Sequence, residues 1–240
     1  MKYFNWSNIR LVLMFALVVF LFAFTSKRNE QRHLTKSVVL FAGEGNLLVT
    51  NEMVNKLLIE NNSNAHSIRK DKLDLNKLEK SINRQDMIEK SEVFVSIDGV
   101  LKAVVKQKTP IARVCNENES FYLDNKGNRM PLSDIFSERV PIVAGEIKED
   151  NKKDLGELFS IIRNDDFLKK NIIGVDISPS GNIVMHNRNY NYAIDFGKTI
   201  NMERKFQNYK AFFQKAVSDS SISKYKMINL KFAQQVVCTK

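Results

Sequence analysis

Few side chains in this chain of 240 residues could do chemistry, and they are scattered. Its histidines, His33, His66 and His186, stand far apart, and none has a cysteine or carboxylate at zinc-ligand spacing. Gly43-Glu44-Gly45 lacks the third glycine and the lysine of a phosphate-cradling loop, so it reads as a turn. Neither Gly-x-Ser-x-Gly nor His-Glu-x-x-His occurs. Asp165-Asp166 falls at a helix end, where solvated carboxylates are expected. Asp176 and Asp195 fall near strand positions and could pair across a sheet, but hydrolysis would need both in one cleft. Cys115 and Cys238 both lie in strand-like segments. They read as small buried or free thiols, with one bridge between them as the alternative in an oxidising compartment. No metal, cofactor or catalytic group is expected, which favours binding or scaffolding over catalysis.

The elements that would position these residues begin with an apolar run. Leu11–Phe24 has no polar side-chain atom. It is shorter than the ~20 residues that cross a bilayer as a helix. Tyr3, Phe4 and Trp6 suit the headgroup level, and Arg10 can snorkel, so Trp6–Ser26 offers a full span. The stretch Phe22-Ala23-Phe24-Thr25-Ser26-Lys27-Arg28 has no clean small-x-small site, which favours an uncleaved span over a removed signal peptide. Charge follows the same segment. Of a formal net +10, residues 1–36 contribute six bases against one acid. The remainder is thinly basic, unlike the concentrated face of a nucleic-acid binder, so no nucleic-acid partner is expected. Lys27, Arg28, Arg32 and Lys36 follow the span and only Lys2 and Arg10 precede it. By the positive-inside bias, that count alone favours a cytoplasmic bulk.

The first part of the remainder reads strand, helix, helix, strand, strand. Ser37–Ala42 is a β-branched run, and Thr50 precedes Met53, Val54, Leu57 and Leu58 at helical spacing. Asn61–Asn64 breaks that helix, and Asp74 can cap a second one carrying Leu75, Leu78 and Ile82. Ser91–Ile97 alternates, Asp98-Gly99 is a strong hairpin signal, and Val100–Lys108 returns. The second part is mostly strand. Strands are expected at Ile111–Cys115, Phe121–Leu123, Pro141–Ile147, Ile172–Ile177, Ile183–His186 and Tyr190–Phe196. A helix is expected from Asp154. Another carries Met202, Phe206, Tyr209, Phe212, Phe213, Ala216 and Val217 on one stripe, with Lys205, Lys210 and Lys215 opposite. Met227–Val237 reads as one terminal strand.

Three local patterns resemble the FtsQ/DivIB cell-division proteins. Val100–Ala112 (VLKAVVKQKTPIA) resembles the strand that leaves that family's first domain and enters its second. Phe121-Tyr122-Leu123-Asp124-Asn125-Lys126-Gly127 is similar to its aromatic-aliphatic-Asp-x-x-Gly hairpin. Ile228-Asn229-Leu230-Lys231-Phe232, followed by Gln235-Val236-Val237, resembles its closing strands, with Asn229 where Asp is usual.

The resemblance implies an α+β protein. Residues 1–8 would be a short cytoplasmic N-terminus, 9–26 a transmembrane helix and 27–36 a basic juxtamembrane linker. A POTRA module (β-α-α-β-β) would occupy 37–108, and a mixed β-domain with packed helices 109–240. It further implies a single-pass protein of the bacterial inner membrane with its bulk in the periplasm at the division septum, opposite to the charge count. The role implied is a non-enzymatic divisome scaffold, with FtsB/FtsL-like single-span coiled-coil proteins as partners. Their strand would add along Lys231, Phe232, Ala233, Gln234, Gln235, Val236 and Val237, with Phe232 as anchor. Two other classes stay open: a POTRA-bearing envelope transport or assembly component, and a membrane-anchored enzyme acting on envelope polymers.

Overall fold

Uninterrupted apolar sequence gives the first element, the helix α1 (Trp6–Glu30). In this computed structural model, residues 6–30, 33–43, 48–59, 68–70, 73–116, 119–145, 147–232 and 234–240 are described. Tyr3, Phe4, Glu44, Gly45, the Asn61–Asn64 break, His66 and Ala233 lie outside them. Among the described residues, α1 is the one helix long and apolar enough to cross a membrane. The architecture is mixed α and β, in two compact units that part after Gln107.

In the first unit, the strands β1 (Lys36–Ala42), β2 (Ile88–Val95) and β3 (Val100–Gln107) form a sheet in the order β1-β3-β2. β1 runs parallel to β3, and β2 antiparallel. Two helices follow β1: α2 (Asn51–Ile59) and α3 (Leu75–Asn83). Both begin where their caps allow. Met53 N donates to Thr50 Oγ1 at 3.0 Å, and Lys77 N to Asp74 Oδ1 at 3.0 Å, each satisfying an amide that the helix leaves unpaired. Val54, Leu58, Leu78 and Ile82 from the helices join Val93, Leu101, Ala103 and Val105 from the sheet in one core.

Among its described residues the second unit holds nine strands. They are β4 (Pro110–Cys115), β5 (Ser120–Asp124), β6 (Arg129–Met130), β7 (Ile142–Gly145), β8 (Ile172–Ile177), β9 (Ile183–Asn187), β10 (Ala193–Gly197), β11 (Met227–Asn229) and β12 (Val237–Thr239). Their order is β12-β11-β10-β9-β8-β7-β4-β5-β6. Strand alternation divides the side chains between two faces. The register aligns Phe121, Val114, Val143, Val175, Met185, Ile194, Ile228 and Cys238 in a continuous apolar row across eight strands. That face packs on α4 (Glu149–Asn164) through Leu155, Leu158, Phe159 and Ile162. It also packs on α6 (Met202–Ser218) through Met202, Phe206, Tyr209 and Ala216. Each fully buried aliphatic side chain in such a row contributes about 1.5–3 kcal/mol.

Four expectations need correction. The terminal segment is not one strand: β11 and β12 are antiparallel, and 230–236 connect them. Lys205 does not share a solvent face with Lys210 and Lys215. It is buried, and its Nζ donates to the carbonyls of Phe196 at 2.9 Å and Lys198 at 2.8 Å, over the Phe196 ring. Burial lowers its pKa, partly offset by the Asp195 carboxylate. The helix expected from Asp154 starts at Glu149, with Lys148 N donating to Asn151 Oδ1 at 2.9 Å. Asp165 is no idle solvated acid: it caps a further helix, α5 (Asp166–Asn171), by accepting from Leu168 N at 3.0 Å, and it pairs with Lys210. The Cys115–Cys238 alternative also falls. Both thiols are free, and they sit six strands apart, roughly 29 Å along the sheet.

Candidate partner-binding edge

β12 is the outermost strand of the nine, held on one side by β11 and by no described strand on the other. What keeps it there is the end of the apolar row: Ile228 is fully buried, and Val236 and Cys238 pack against the same core. Burial pushes the Cys238 thiol up, away from its reactive thiolate form. The opposite faces of these strands show Met227, 41% exposed, and Val237, 43% exposed. Met227 shares a row with Thr239, and Val237 with Asn229.

The connection is tied down at its start. Leu230 N donates to Asp195 O at 2.8 Å, extending the β10 pairing by one bond, and the Leu230 side chain is buried. Lys231 N donates to Asn229 Oδ1 at 2.9 Å, an Asx turn that takes the chain out of the strand. Accepting that amide is something an Asp or an Asn side chain does equally well. Lys231 Nζ reaches Asp195 Oδ2 at 2.6 Å, and its stem crosses Gly197. Gly197 has φ +72°, and a Cβ there would stand 2.7 Å from Lys231 Cγ, so only glycine leaves that path open. Phe232 then emerges 51% exposed.

Of the residues singled out from the sequence, only Val237 belongs to the edge strand itself. Lys231, Phe232, Gln234, Gln235 and Val236 lie in the connection, and Ala233 falls outside the described residues. Met227 is not among them, although the alternation Met227-Ile228-Asn229 carries the signal for an outward side chain. The two aspartates do not form an acid pair. Val184 separates them in the cross-strand row, Asp176 Oδ2 meets His186 Nε2 at 2.7 Å, and Asp195 belongs to Lys231. Among the described residues no group of three or more metal-ligating side chains converges.

A strand edge offers backbone N–H and C=O groups to another extended segment. Three residues supply few such bonds, at about 0.5–1.5 kcal/mol net each, against an association cost of ~4–15 kcal/mol. Apolar anchors beside the edge must therefore carry much of any affinity. Phe232, Val237 and Met227 are the exposed apolar side chains available here.

Comparison with known proteins defines the class. The family described as "FtsQ/DivIB, C-terminal related" matches residues 109–239, more than half the chain. The chain belongs to the FtsQ/DivIB family, whose members are non-catalytic cell-division proteins. Among solved structures it is similar to the major extracytoplasmic domain of the trans isomer of the cell-division protein DivIB from Geobacillus stearothermophilus. Identity is 14% and the TM-score 0.34, over 48% of this chain and 97% of that one. No curated protein sequence matches it. With its single apolar N-terminal helix, the chain fits a bitopic membrane protein of cell division.

Proposed function

We propose that this protein is a non-enzymatic scaffold of the bacterial divisome, recruiting an FtsB/FtsL-like single-span coiled-coil pair by strand addition to β12. One observation supports this above the others. The strand that ends the family-matched segment is also the outermost strand of the sheet, with a free flank beside exposed Phe232, Val237 and Met227. In this reading the first unit after α1 is a POTRA module, the second the FtsQ-type β-domain, and both lie in the periplasm at the septum. The base count around α1 favours the opposite orientation; this reading sets it against the bias's tolerance of large translocated domains.

The cross-strand register adds a requirement on the partner. An incoming strand beside β12 prolongs the apolar row that ends at Cys238, so it places an apolar side chain on the core-facing side there. Phe232 packs over the partner's outward face. Phe232→Glu is expected to weaken FtsB capture by the full-length protein about 30-fold or more, the loss of a ~2 kcal/mol anchor. The thermal melt should be unchanged, because the side chain is exposed. Undiminished capture with an intact melt would contradict the role given to this residue.

A further inference from the structure

Another exposed feature lies in the first unit, at the β2–β3 turn Ser96-Ile97-Asp98-Gly99. Ile97 is 90% exposed, more than any large apolar side chain of α1. A lone exposed isoleucine would need no explanation. Its position supplies one. Because β1 is parallel to β3, the chain arriving from α1 enters the sheet at the end where this turn sits. Thr35 N donates to Gly99 O at 2.9 Å, and Thr35 Oγ1 to Asp98 O at 3.3 Å. Beside them, Leu34 N donates to Ile68 O at 3.0 Å, and His33 bridges to Arg69. α1 ends at Glu30. Thr35 lies five residues beyond Glu30, a reach of no more than ~18 Å, so the turn is moored to a point that close to the end of the membrane helix.

Charge gathers at the same end. Lys27 and Arg28 occupy the last turn of α1, Lys36 opens β1, and Arg69 and Lys70 adjoin His33. Lys102 stands in the row Val38–Lys102–Phe94 on the sheet face away from α2 and α3, diagonal to Lys36. The acid of the turn is already matched. Asp98 accepts from Ser96 Oγ. That hydroxyl and the Asp98 amide, with Lys102 and Lys36 nearby, hold its carboxyl below the ordinary range.

We propose that this end of the first unit rests in the headgroup layer of the bilayer crossed by α1. Ile97 enters the upper acyl region, and Lys36, Lys70 and Lys102 meet anionic phospholipid headgroups. The combination is that of an interfacial anchor: one apolar side chain for depth, and cations attracted to a negative surface within a Debye length. The tether makes the contact intramolecular in effect, so one inserted side chain and a few cations suffice where a free domain would need more. This contact is independent of the division role.

The test uses the full chain in nanodiscs, either of phosphatidylcholine alone or with a quarter phosphatidylglycerol. Trp6 is the only tryptophan, so Trp6→Phe with Ile97→Trp leaves a single reporter at the turn. Its emission is expected to shift to the blue and to be quenched by lipids brominated high on the acyl chain, in the anionic discs. Adding Lys36→Glu and Lys102→Glu should abolish the quenching. Hydrogen exchange of the amides of residues 96–100 in the unsubstituted protein gives a second reading, with slower exchange expected in the anionic discs. Water-like, unquenched emission together with equal exchange in both discs would overturn the proposal. Equal quenching in both would overturn the assignment to anionic headgroups.

Discussion

The β2–β3 turn and the β12 edge are both short and exposed, each with an apolar side chain facing outward, yet they offer different things. At the turn much of the backbone is already paired. Ser96 N donates to Val100 O, Gly99 N to Ser96 O and Thr35 N to Gly99 O, so side chains dominate what Ile97 and its lysines present. At β12 the strand is paired along one flank only among the described residues. A surface with few spare backbone groups suits a lipid layer, which cannot build a β-ladder. A strand with a whole unpaired flank suits an extended peptide. The contrast lies in hydrogen bonding more than in hydrophobicity.

Substitutions can break this contrast one side at a time. Ile228→Ala should have the largest effect, lowering the unfolding free energy by about 2–5 kcal/mol by hollowing the row that seats β12. Partner capture should fall with it, while lipid quenching of the Ile97→Trp reporter persists; denaturant titration and capture measure the two. Gly99→Ala acts on the other side. At φ +82° its Cβ would stand 3.1 Å from His33 O, straining the turn by about 1–3 kcal/mol and loosening its mooring to residues 33–35. Faster exchange of the Thr35 and Gly99 amides would report it, with β12 undisturbed. Asp165→Ala removes the α5 cap, at about 1 kcal/mol, and should move neither interaction.

The same carboxylate gives a pH dependence. Burial alone would raise its pKa, but Lys210 and the amides of Leu168 and Phe167 outweigh that and hold it low. Its contribution is therefore complete above the ordinary carboxylate range and is lost as pH falls through the depressed value. A melt series in acid, compared with Asp165→Ala, would show the difference between the two proteins vanish. Ile97→Ser should have the smallest effect, within about 0.5 kcal/mol on stability, while weakening the lipid contact.

What is legible in the sequence is mostly local. Thr50, Asp74 and Asp98-Gly99 act through neighbours two to four residues away, and the α6 stripe declares itself by period. Asp124-Asn125-Lys126-Gly127 is likewise a turn, Asp124 Oδ1 accepting from Lys126 N and Asn128 N at 2.9 and 2.8 Å. The failures come from distant partners. No glycine or proline interrupts Met227–Thr239, so nothing local announces the break after Asn229. It is set by Asp195, which accepts from Leu230 N and holds Lys231. Period alone misplaces Lys205, because its long stem tolerates burial when carbonyls of β10 and of the connection after it receive its ammonium. The edge position of β12 depends on sheet order, which no periodicity encodes. The moored turn likewise needs the parallel pairing of β1 with β3.

The most direct measurement is site-specific photo-cross-linking of the full-length protein in its native membranes, with the reactive residue at Val237 and, separately, at Ile97. The account predicts that Val237 captures an FtsB-like single-span coiled-coil protein, identified by mass, and that Ile97 captures phospholipid. Capture of that protein from Ile97 and not from Val237, or of phospholipid from both, would contradict it.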